Sequence, residues 1–285
     1  MNNIKKVCAI HDISGVGRCS LTVIIPALSS MGIQVCPVPT AVFSAHTGYH
    51  EFVKRDLTDF LEPALKQYKK LGTEFDCIYS GFLGSEEQID HVLQFLTSFN
   101  SSLKVVDPVM GDNGKKYKTV TDNHVKRMTE LVKEADIITP NITEAAILLG
   151  EEYPNQPLSS QMVKSWAVRL SEIGPDTIVI TSVVLMDGTL CNIGFDKKQN
   201  SFWKVACEYV PAHYSGSGDL FSSVLVGGIL KGDSLPIAIN RATSFTELAI
   251  KTTYSYMNEP LDGIMLEKCL SWLSADQILK DYKKL

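Results

Sequence analysis

The sequence predicts an α/β fold, namely a doubly wound, mainly parallel sheet that is flanked by helices and has a few antiparallel edge strands. Two observations predict it. Apolar, strand-like runs alternate with amphipathic helical patterns through most of the 285 residues, and polar residues recur directly after the strands, where open α/β sheets bind ligands. No repeat or low-complexity linker interrupts the pattern, so we expect residues 1–285 to form a single domain.

The first third of the chain predicts three strands and three helices. A turn over 11–17 follows the first strand, and Gly32 ends the first helix. Segment 40–49 is too irregular for a helix and is interpreted either as a surface loop or as the rim or lid of a substrate site. The predicted strands are 6–10, 34–38 and 77–80, and the predicted helices are 20–31, 57–70 and 86–98.

The rest of the chain continues the alternation and then changes to antiparallel strands. Segment 113–118 contains Gly114 and three lysines, so it either closes over a nucleotide or is only a solvated charge run. The predicted strands are 103–106, 135–139, 177–180 and an antiparallel pair at 190–195 and 201–210, and the predicted helices are 141–149, 220–230, 236–256 and 266–273.

Composition excludes several classes of function. The net charge is −5 and the Lys and Arg residues are scattered, which argues against a nucleic-acid surface. The seven cysteines are odd in number, widely spaced and without a C-x-x-C pair, as expected of reduced thiols. The apolar runs are too short for a signal peptide or a membrane span. We therefore expect a soluble, cytoplasmic protein that has a small-molecule substrate and acts on neither nucleic acid nor membrane.

The stretch Gly216-Ser217-Gly218-Asp219 carries the strongest chemical signal. Its glycines allow a sharp turn and a close approach to a ligand, and an apolar helical pattern follows. The N–H groups of a helix start are unsatisfied donors that attract an anion. Asp219 is then either a helix cap or a general base that takes a proton from an alcohol while the N–H groups stabilise a phosphoryl group.

Other polar residues are predicted at the same edge of the sheet. Asp12, Asp107, Thr139 and Thr181 each follow a strand, so they are expected to lie near Asp219. The spacing of Gly15 and Gly17 lacks the third glycine and the downstream acid of a dinucleotide site, which makes NAD an unfavoured ligand. Asn141 and Glu144 would share one face of a helix, either as ligand contacts or as a capping pair.

These segments occur in the order and approximate spacing of a known family. The chain resembles the vitamin B6 (pyridoxal/pyridoxamine) kinases of the ribokinase-like superfamily over roughly residues 5–255. The resemblance implies a ribokinase-like fold, ATP as co-substrate and phosphorylation of the 5'-hydroxymethyl group of pyridoxal, pyridoxine or pyridoxamine. It is carried by residues 43–49 (Phe-Ser-Ala-His-Thr-Gly-Tyr), 107–112 (Asp-Pro-Val-Met-Gly-Asp), 135–144, 179–182 (Val-Ile-Thr-Ser) and 216–219.

The resemblance also implies a role for individual residues. Asp219 would be the base, and Asp107 and Glu144 would act in the Mg²⁺ and phosphate region. A homodimer is implied as well. The anion hole would be Gly216, Ser217 and Gly218; ATP phosphates or an accompanying monovalent cation such as K⁺ would contact Asp112, Asn141, Thr181 and Ser182; and the substrate would contact Asp12, Ser14, Val42, Phe43, Thr47 and Phe82.

Two alternatives stay open. Phe82 replaces a tyrosine of many pyridoxal kinases, and residues 12–15 look closer to the hydroxymethylpyrimidine kinases, a sister family in thiamine synthesis. Residues 43–49 favour the pyridoxal kinases, because the pyrimidine kinases usually carry an Ala-Gln-Asn-Thr-like sequence there. A non-catalytic protein that binds vitamin B6 or a nucleotide is the third possibility, but binding alone needs no base at Asp219.

Overall fold

The computed structural model describes residues 4–275 and 281–285, and their strands and helices follow the predicted alternation. The strands are β1 (Lys6–Val16), β2 (Gln34–Ala45), β3 (Lys54–Asp56), β4 (Cys77–Ser80), β5 (Leu103–Val106), β6 (Gly111–Asp112), β7 (Lys115–Lys116), β8 (Ile137–Ile138), β9 (Thr177–Val184), β10 (Leu190–Asp196), β11 (Ser201–Ala206) and β12 (Tyr282–Lys284). The helices are α1 (Leu21–Ser30), α2 (Thr58–Lys70), α3 (Glu86–Ser98), α4 (Asp122–Lys133), α5 (Ile142–Leu149), α6 (Ser160–Ile173), α7 (Ser217–Leu230), α8 (Leu235–Ser255) and α9 (Ser271–Ser274).

One ten-stranded sheet forms the centre of the described structure, in the order β12-β11-β10-β9-β8-β5-β4-β1-β2-β3. The strands from β2 through β1, β4, β5 and β8 to β9 pair in parallel, whereas β10, β11 and β12 at one edge and β3 at the other pair antiparallel. The predicted fold class, including its antiparallel edge strands, is confirmed.

Two apolar clusters cover the two faces of this sheet. Helices α2 to α6 pack on one face, and α1, α7 and α8 pack on the other. Helix α7 is buried continuously from Leu220 to Gly228, so it lies within the fold rather than on its surface. Because a buried side chain such as Leu220 or Phe245 contributes about 1.5–3 kcal/mol, this packing fixes the start of α7 against the sheet edge.

The first two strands are longer than predicted. Strand β1 continues to Val16 through the predicted turn at 11–17, and β2 continues to Ala45 into the predicted loop at 40–49. The two strands remain paired along their whole length, with a register shift between His11 and Ile13. Polar residues and Gly15 obscured this extension, because it depends on pairing with the neighbouring strand rather than on local pattern.

Helices α4 and α6 were not predicted, although each has a clear start signal. The Thr121 side chain accepts a hydrogen bond from His124 N, and the Ser159 side chain accepts one from Met162 N. Such caps stabilise a helix by ~0.5–2 kcal/mol and precede an apolar stripe in both cases. The predicted helix at 266–273 was also wrong in extent, since only Ser271–Ser274 is α-helical there.

None of the helices in the described ranges is both long and apolar enough to cross a membrane. All seven cysteines are free, in keeping with the expectation of reduced thiols. They are Cys8, Cys19, Cys36, Cys77, Cys191, Cys207 and Cys269.

Candidate active site

A cavity of about 1450 Å³ lies at the carboxyl ends of the parallel strands. It brings together nearly every residue for which a role was predicted, because parallel strands end at one edge of a sheet. The predicted residues that line it are Asp12, Ser14, Phe43, Thr47, Phe82, Asp107, Asp112, Asn141, Glu144, Thr181, Ser182, Gly216, Ser217, Gly218 and Asp219.

Val42 is the exception. Its side chain is 43% exposed and does not line this cavity, whereas the neighbouring Phe43 is 4% exposed and does. Residues 42 and 43 both lie in β2, where successive side chains point to opposite faces of the sheet. The predicted contact between Val42 and the substrate is therefore wrong.

The loop before α7 has the geometry of an anion site. Gly216 has φ 82°, and a Cβ atom there would lie 2.3 Å from the carbonyl oxygen of Arg18, so only glycine fits. Within the described part of the chain, the N–H groups of Gly216, Gly218 and Asp219 have no hydrogen-bond acceptor. These donors stand at the positive end of the α7 dipole, where an anion is stabilised.

The two glycines of this loop differ from each other. The left-handed backbone is at Gly216, and it is not at Gly218, where a Cβ atom would meet no atom within 4 Å. Gly218 therefore keeps a space open beside the free N–H groups instead of making a sharp turn. A side chain at this position would project into open space next to a bound anion.

Asp219 is not the cap of its own helix. The N-cap of α7 is Gly216, and no side chain caps the helix start. Instead, the Asp219 Oδ2 atom accepts a hydrogen bond of 2.8 Å from the backbone N–H of Ser20. The capping alternative is excluded, and the carboxylate is held at the cavity wall by the β1–α1 loop.

Ser20 connects two acidic side chains and was missed in the sequence. Its N–H donates to Asp219, and its Oγ donates to Asp12 Oδ1 over 2.7 Å. Ser20 has φ 49°, a left-handed conformation that a non-glycine residue adopts only where its surroundings hold it. Ser14 Oγ donates to the other oxygen of Asp12 over 3.3 Å. No short sequence motif predicts these contacts between Ser20 and the two acidic side chains.

Burial changes the acidity of the Asp219 carboxyl. It raises the pKa of Asp219 to about 6, and the nearby charge of Asp12 acts in the same direction, while the Ser20 N–H opposes it. Burial also raises the pKa of Asp12. A carboxylate with a raised pKa is a stronger base than an ordinary aspartate and is still mostly ionised at neutral pH.

Asp107 and Glu144 form a second acidic pair, deeper in the cavity. Ser222 Oγ donates to Asp107 Oδ2 over 3.2 Å, and Glu144 accepts from the N–H groups of Met110 (3.2 Å) and Asn141 (2.9 Å). Burial raises the pKa of both carboxyls; the charge of Asp219 adds to this for Asp107, and the charge of Asp107 does so for Glu144. A nearby cation would favour the ionised form of both carboxyls and so lower their pKa.

The pair suits a metal that is shared with a ligand. Among the described residues, no cluster of three His, Cys, Asp or Glu side chains could hold a metal ion. Mg²⁺ in phosphate-transferring sites is typically bound by one or two carboxylates together with phosphate oxygens and water. Asp107 and Glu144 fit that ligand set.

Asn141 and Glu144 form the capping pair that the sequence left as one alternative, and the other alternative, contact with a ligand, stays a prediction. They form a capping box at the start of α5, because Asn141 Oδ1 accepts from Glu144 N and Glu144 Oε2 accepts from Asn141 N. Both residues also line the cavity. The cap thus fixes the orientation of the Glu144 carboxylate, and Asn141 Nδ2 donates to Gly111 O, which anchors the hairpin formed by β6 and β7.

That hairpin borders one half of the cavity. Asp112, Asn113, Tyr117 and Lys118 line the cavity, and Gly114 N donates to Thr143 Oγ1 over 2.9 Å. The segment at 113–118 is therefore placed beside the site, and its closure over a nucleotide stays a prediction.

Aromatic side chains border the other half of the cavity. The rings of Phe43 and Phe52 meet edge to face at 5.6 Å, and Phe82 also lines this half. His46 Nδ1 accepts from Gly48 N over 3.0 Å, so Nε2–H donates to the carbonyl of Leu261. This bond ties the turn that carries Thr47 to the chain after α8, so the second half of segment 40–49 lies at the edge of the cavity. Its role as the rim of a substrate site stays a prediction.

A buried histidine lies behind the carboxylates and was missed in the sequence. The ring of His11 is fully buried against Tyr79, at 4.4 Å between ring centroids, and neither ring nitrogen has a hydrogen-bond partner within the described ranges. Burial lowers the pKa of His11 to about 3. The imidazole is consequently neutral in the folded protein.

This burial should make the protein sensitive to acid. An unfolded histidine titrates near pH 6.5, so below that pH the unfolded chain binds a proton that folded His11 rejects until about pH 3. The free energy of unfolding should then fall with decreasing pH by up to ~1.4 kcal/mol per unit more steeply than in a His11→Leu variant. Urea unfolding between these pH values measures the difference. Replacement of the exposed His50 is the control, and equal slopes for parent and His11→Leu would contradict the account.

Comparison with known proteins identifies the family. The phosphomethylpyrimidine kinase family model matches residues 25–261. A curated pyridoxal kinase from Arabidopsis thaliana is 31% identical over 248 residues, which are 82% of this chain and 75% of the relative. The match covers most of both chains.

Solved structures agree with this assignment. A Bacteroides thetaiotaomicron protein, provisionally assigned as a phosphomethylpyrimidine kinase and crystallised with pyridoxal, is 44% identical with a TM-score of 0.95 over 99% of this chain and 100% of its own. Pyridoxal kinase from Lactobacillus plantarum is 28% identical with a TM-score of 0.87, covering 95% and 97% of the two chains. The predicted ribokinase-like fold is confirmed, and the chain belongs to the pyridoxal kinase and phosphomethylpyrimidine kinase family of ribokinase-like kinases.

Proposed function

We propose that the protein is an ATP-dependent kinase that phosphorylates the 5'-hydroxymethyl group of pyridoxal, pyridoxine or pyridoxamine and so yields the B6 5'-phosphate. The observation that carries this proposal is the placement of the Asp219 carboxylate next to backbone N–H groups that lack acceptors among the described residues. A base beside an anion site is what transfer of a phosphoryl group to an alcohol requires.

The residues at the start of α7 have different roles in this reaction. Asp219 takes the proton from the substrate hydroxyl, which leaves an oxygen nucleophile that attacks the terminal phosphorus of ATP. The N–H groups of Gly216, Gly218 and Asp219 stabilise the negative charge on the transferring group. The bond between the terminal phosphorus and the oxygen that bridges it to ADP breaks, and ADP leaves. The proton remains on Asp219 until it leaves for solvent.

Asp107 and Glu144 are the proposed metal ligands, and Asp112, Asn141, Thr181 and Ser182 are the proposed contacts of the phosphates or of an accompanying K⁺. A bound Mg²⁺ supplies positive charge that neutralises the polyphosphate. Without a cation, the negative charges of Asp107 and Glu144 would repel the phosphates. These two carboxylates are therefore a further reason to expect a bound cation.

The role of Glu144 predicts a change in metal dependence. Glu144→Gln removes the charge, while its single amide oxygen can still accept the capping bond from Asn141 N and leaves the Met110 N–H without this acceptor. The Mg²⁺ concentration for half-maximal rate should therefore rise by about tenfold, equivalent to ~1.4 kcal/mol. Titration of Mg²⁺ at saturating ATP and pyridoxal measures it. Glu151→Gln, at a surface position after α5, is the matched control. An unchanged titration curve for Glu144→Gln would remove this residue from the metal site.

Vitamin B6 is favoured over a pyrimidine as substrate. Phe43, Phe52 and Phe82 provide aromatic walls for a flat heterocycle, and Thr47 at the rim offers a hydroxyl for a ring substituent. The curated relative named above is a pyridoxal kinase, and the Bacteroides protein was crystallised with pyridoxal. Hydroxymethylpyrimidine kinase is the second candidate, because the matching family model is described as phosphomethylpyrimidine kinase and residues 12–15 look closer to the hydroxymethylpyrimidine kinases.

Product analysis tests the proposed function. The protein is incubated with pyridoxal, ATP and Mg²⁺, and the products are separated, identified and quantified by mass spectrometry. We expect one pyridoxal 5'-phosphate for each ADP formed. Release of ADP without phosphorylated pyridoxal would overturn the proposed substrate. No reaction at all would overturn the proposed activity and favour a binding protein.

We also infer a homodimer in the cytoplasm, on the resemblance to the B6 kinases alone. Sedimentation velocity at micromolar concentration measures the mass. A monomer under conditions in which the enzyme is active would refute the dimer.

A further inference from the structure

The ladder between β9 and β10 contains a bulge next to the cavity. Val183 pairs with Cys191 and Ile180 pairs with Ile193, so the two residues Thr181 and Ser182 face the single residue Asn192. A bulge bends its strand and redirects side chains, and bulges are common beside functional sites. Here it turns Thr181 and Ser182 into the cavity wall.

The bulge leaves Ser182 in an unfavourable conformation. Its φ is 57°, in the left-handed region that glycine and asparagine adopt far more readily than serine. Its N–H group has no β-ladder partner and donates instead to Asn192 Oδ1 over 3.0 Å. This bond from a side chain replaces the backbone bond that the bulge removes.

Asn192 is itself held in one orientation. It is 5% exposed, and its Nδ2 donates to Thr243 Oγ1 over 2.9 Å and to Cys207 Sγ over 3.3 Å. The Thr243 hydroxyl donates to Ile239 O and so accepts from Asn192. The amide oxygen must therefore face Ser182, and all donors and the acceptor of this amide are used by protein atoms.

On the other side, the bulge is linked to the start of α5. Thr181 N donates to Pro140 O over 3.0 Å, and Asn141 and Thr181 form a parallel bridge. One side chain on β10 thus fixes a turn whose neighbours, Asn141 and Glu144, belong to the proposed phosphate and metal region.

We propose that Asn192 is a positioning residue for the nucleotide: its amide holds Ser182 in the left-handed conformation and thereby places the Thr181–Ser182 turn against the phosphates of ATP. Asn192 acts through Ser182 and does not itself bind the phosphates, because a phosphate needs donors and both N–H groups of the amide are already used by Thr243 and Cys207. This inference rests on the proposed function and adds a residue to which neither the sequence motifs nor the resemblance gives a role.

The test compares nucleotide binding with pyridoxal use. Asn192→Leu keeps the volume of the side chain but leaves the Ser182 N–H without an acceptor. We expect the dissociation constant of ADP, measured by isothermal titration calorimetry with Mg²⁺, and the KM of ATP to rise by about 5- to 150-fold. The KM of pyridoxal should stay within about twofold, because Phe43 and the nearby Thr47 belong to the β2 end of the cavity, and β8, β5, β4 and β1 separate β2 from β9.

A second substitution separates positioning from general destabilisation. Glycine adopts positive φ without help, so Asn192→Leu should weaken ADP binding much less in the Ser182→Gly background than in the parent. Simple loss of packing would act equally in both backgrounds. Thr253→Val, which removes a buried hydroxyl of α8 that does not line the cavity, is the matched control: it should lower Tm without changing ADP affinity. Asn192→Ser provides a milder change and should give a smaller effect in the same direction.

The outcomes distinguish this inference from the function on which it rests. A parent protein that binds no ADP and forms no phosphorylated product overturns both. A parent that binds ADP, together with an Asn192→Leu variant within about twofold of its affinity, overturns the role of Asn192 alone. Equal effects of Asn192→Leu in the serine and glycine backgrounds would do the same.

Discussion

Asp219→Asn should lower kcat by about 10² to 10⁴, the usual contribution of a general base, while pyridoxal and ADP still bind. Asparagine keeps an oxygen that can accept the Ser20 N–H bond, so the loop between β1 and α1 should stay in place. Single-turnover formation of pyridoxal 5'-phosphate, with calorimetric binding of both ligands, measures the two effects separately.

Asp187→Asn is the control for this change, because that carboxyl lies in the exposed turn between β9 and β10 and does not line the cavity. It should leave kcat unchanged. Turnover of Asp219→Asn within about threefold of the parent would remove Asp219 as the base.

The pH profile should report the same carboxyl. Because the pKa of Asp219 is raised to about 6, the base is deprotonated above this pH and protonated below it. We expect kcat/KM to fall as pH decreases through about 6, by tenfold per unit at the limit. In Asp219→Asn the residual rate should lose this dependence. An unchanged acid limb in the variant would assign the titration to another group.

Gly218→Val should abolish phosphoryl transfer almost completely without unfolding the protein. A Cβ atom at Gly218 meets no protein atom within 4 Å, so valine should leave Tm near that of the parent. Its branched side chain would occupy the open space beside the free N–H groups. Loss of such donors lowers kcat by about 10² to 10³, and we expect at least that effect.

Gly216→Ala provides the contrasting variant in the same loop. Its Cβ would lie 2.3 Å from Arg18 O, and its φ of 82° disfavours any side chain. We expect a lower free energy of unfolding, by at least ~1–2 kcal/mol, together with loss of activity. Chemical denaturation and steady-state assays on both variants decide the point. An active Gly218→Val enzyme would show that the loop only begins a helix.

Much of the architecture could be predicted because its signals are local. Strands β4 and β5 and helix α3 are short runs with clear apolar patterns and turn residues at their ends, and they lie where the sequence predicts them. The Gly-Ser-Gly-Asp stretch was recognisable for the same reason, since glycine spacing and the following apolar helix occur together in the sequence.

The features that were missed depend on contacts between distant segments. Ser20 reaches Asp219 only because β1 ends and α7 begins at the same edge of the sheet, and His11 is buried because Tyr79 lies on the adjacent strand. Neither relation has a sequence pattern. The error at Val42 has a simpler cause. The sequence did not predict that β2 extends over residues 42 and 43, and within a strand these two side chains point to opposite faces of the sheet.

The role proposed for Asn192 could not be predicted from the sequence for the same reason. An asparagine within an apolar run predicts little by itself, and its partner Ser182 becomes evident only from the two-to-one pairing of β9 with β10. A bulge is a property of the paired strands, so it cannot be deduced from either strand alone.

The most direct test of the proposed substrate is a comparison of kcat/KM for pyridoxal and for hydroxymethylpyrimidine, measured with the same preparation at saturating ATP and Mg²⁺. The aromatic walls at Phe43, Phe52 and Phe82 and the rim at Thr47 predict a preference for pyridoxal of at least about tenfold, equivalent to ~1.4 kcal/mol of transition-state binding. A preference of about tenfold or more for the pyrimidine would contradict the B6 assignment and leave only the fold and the kinase chemistry.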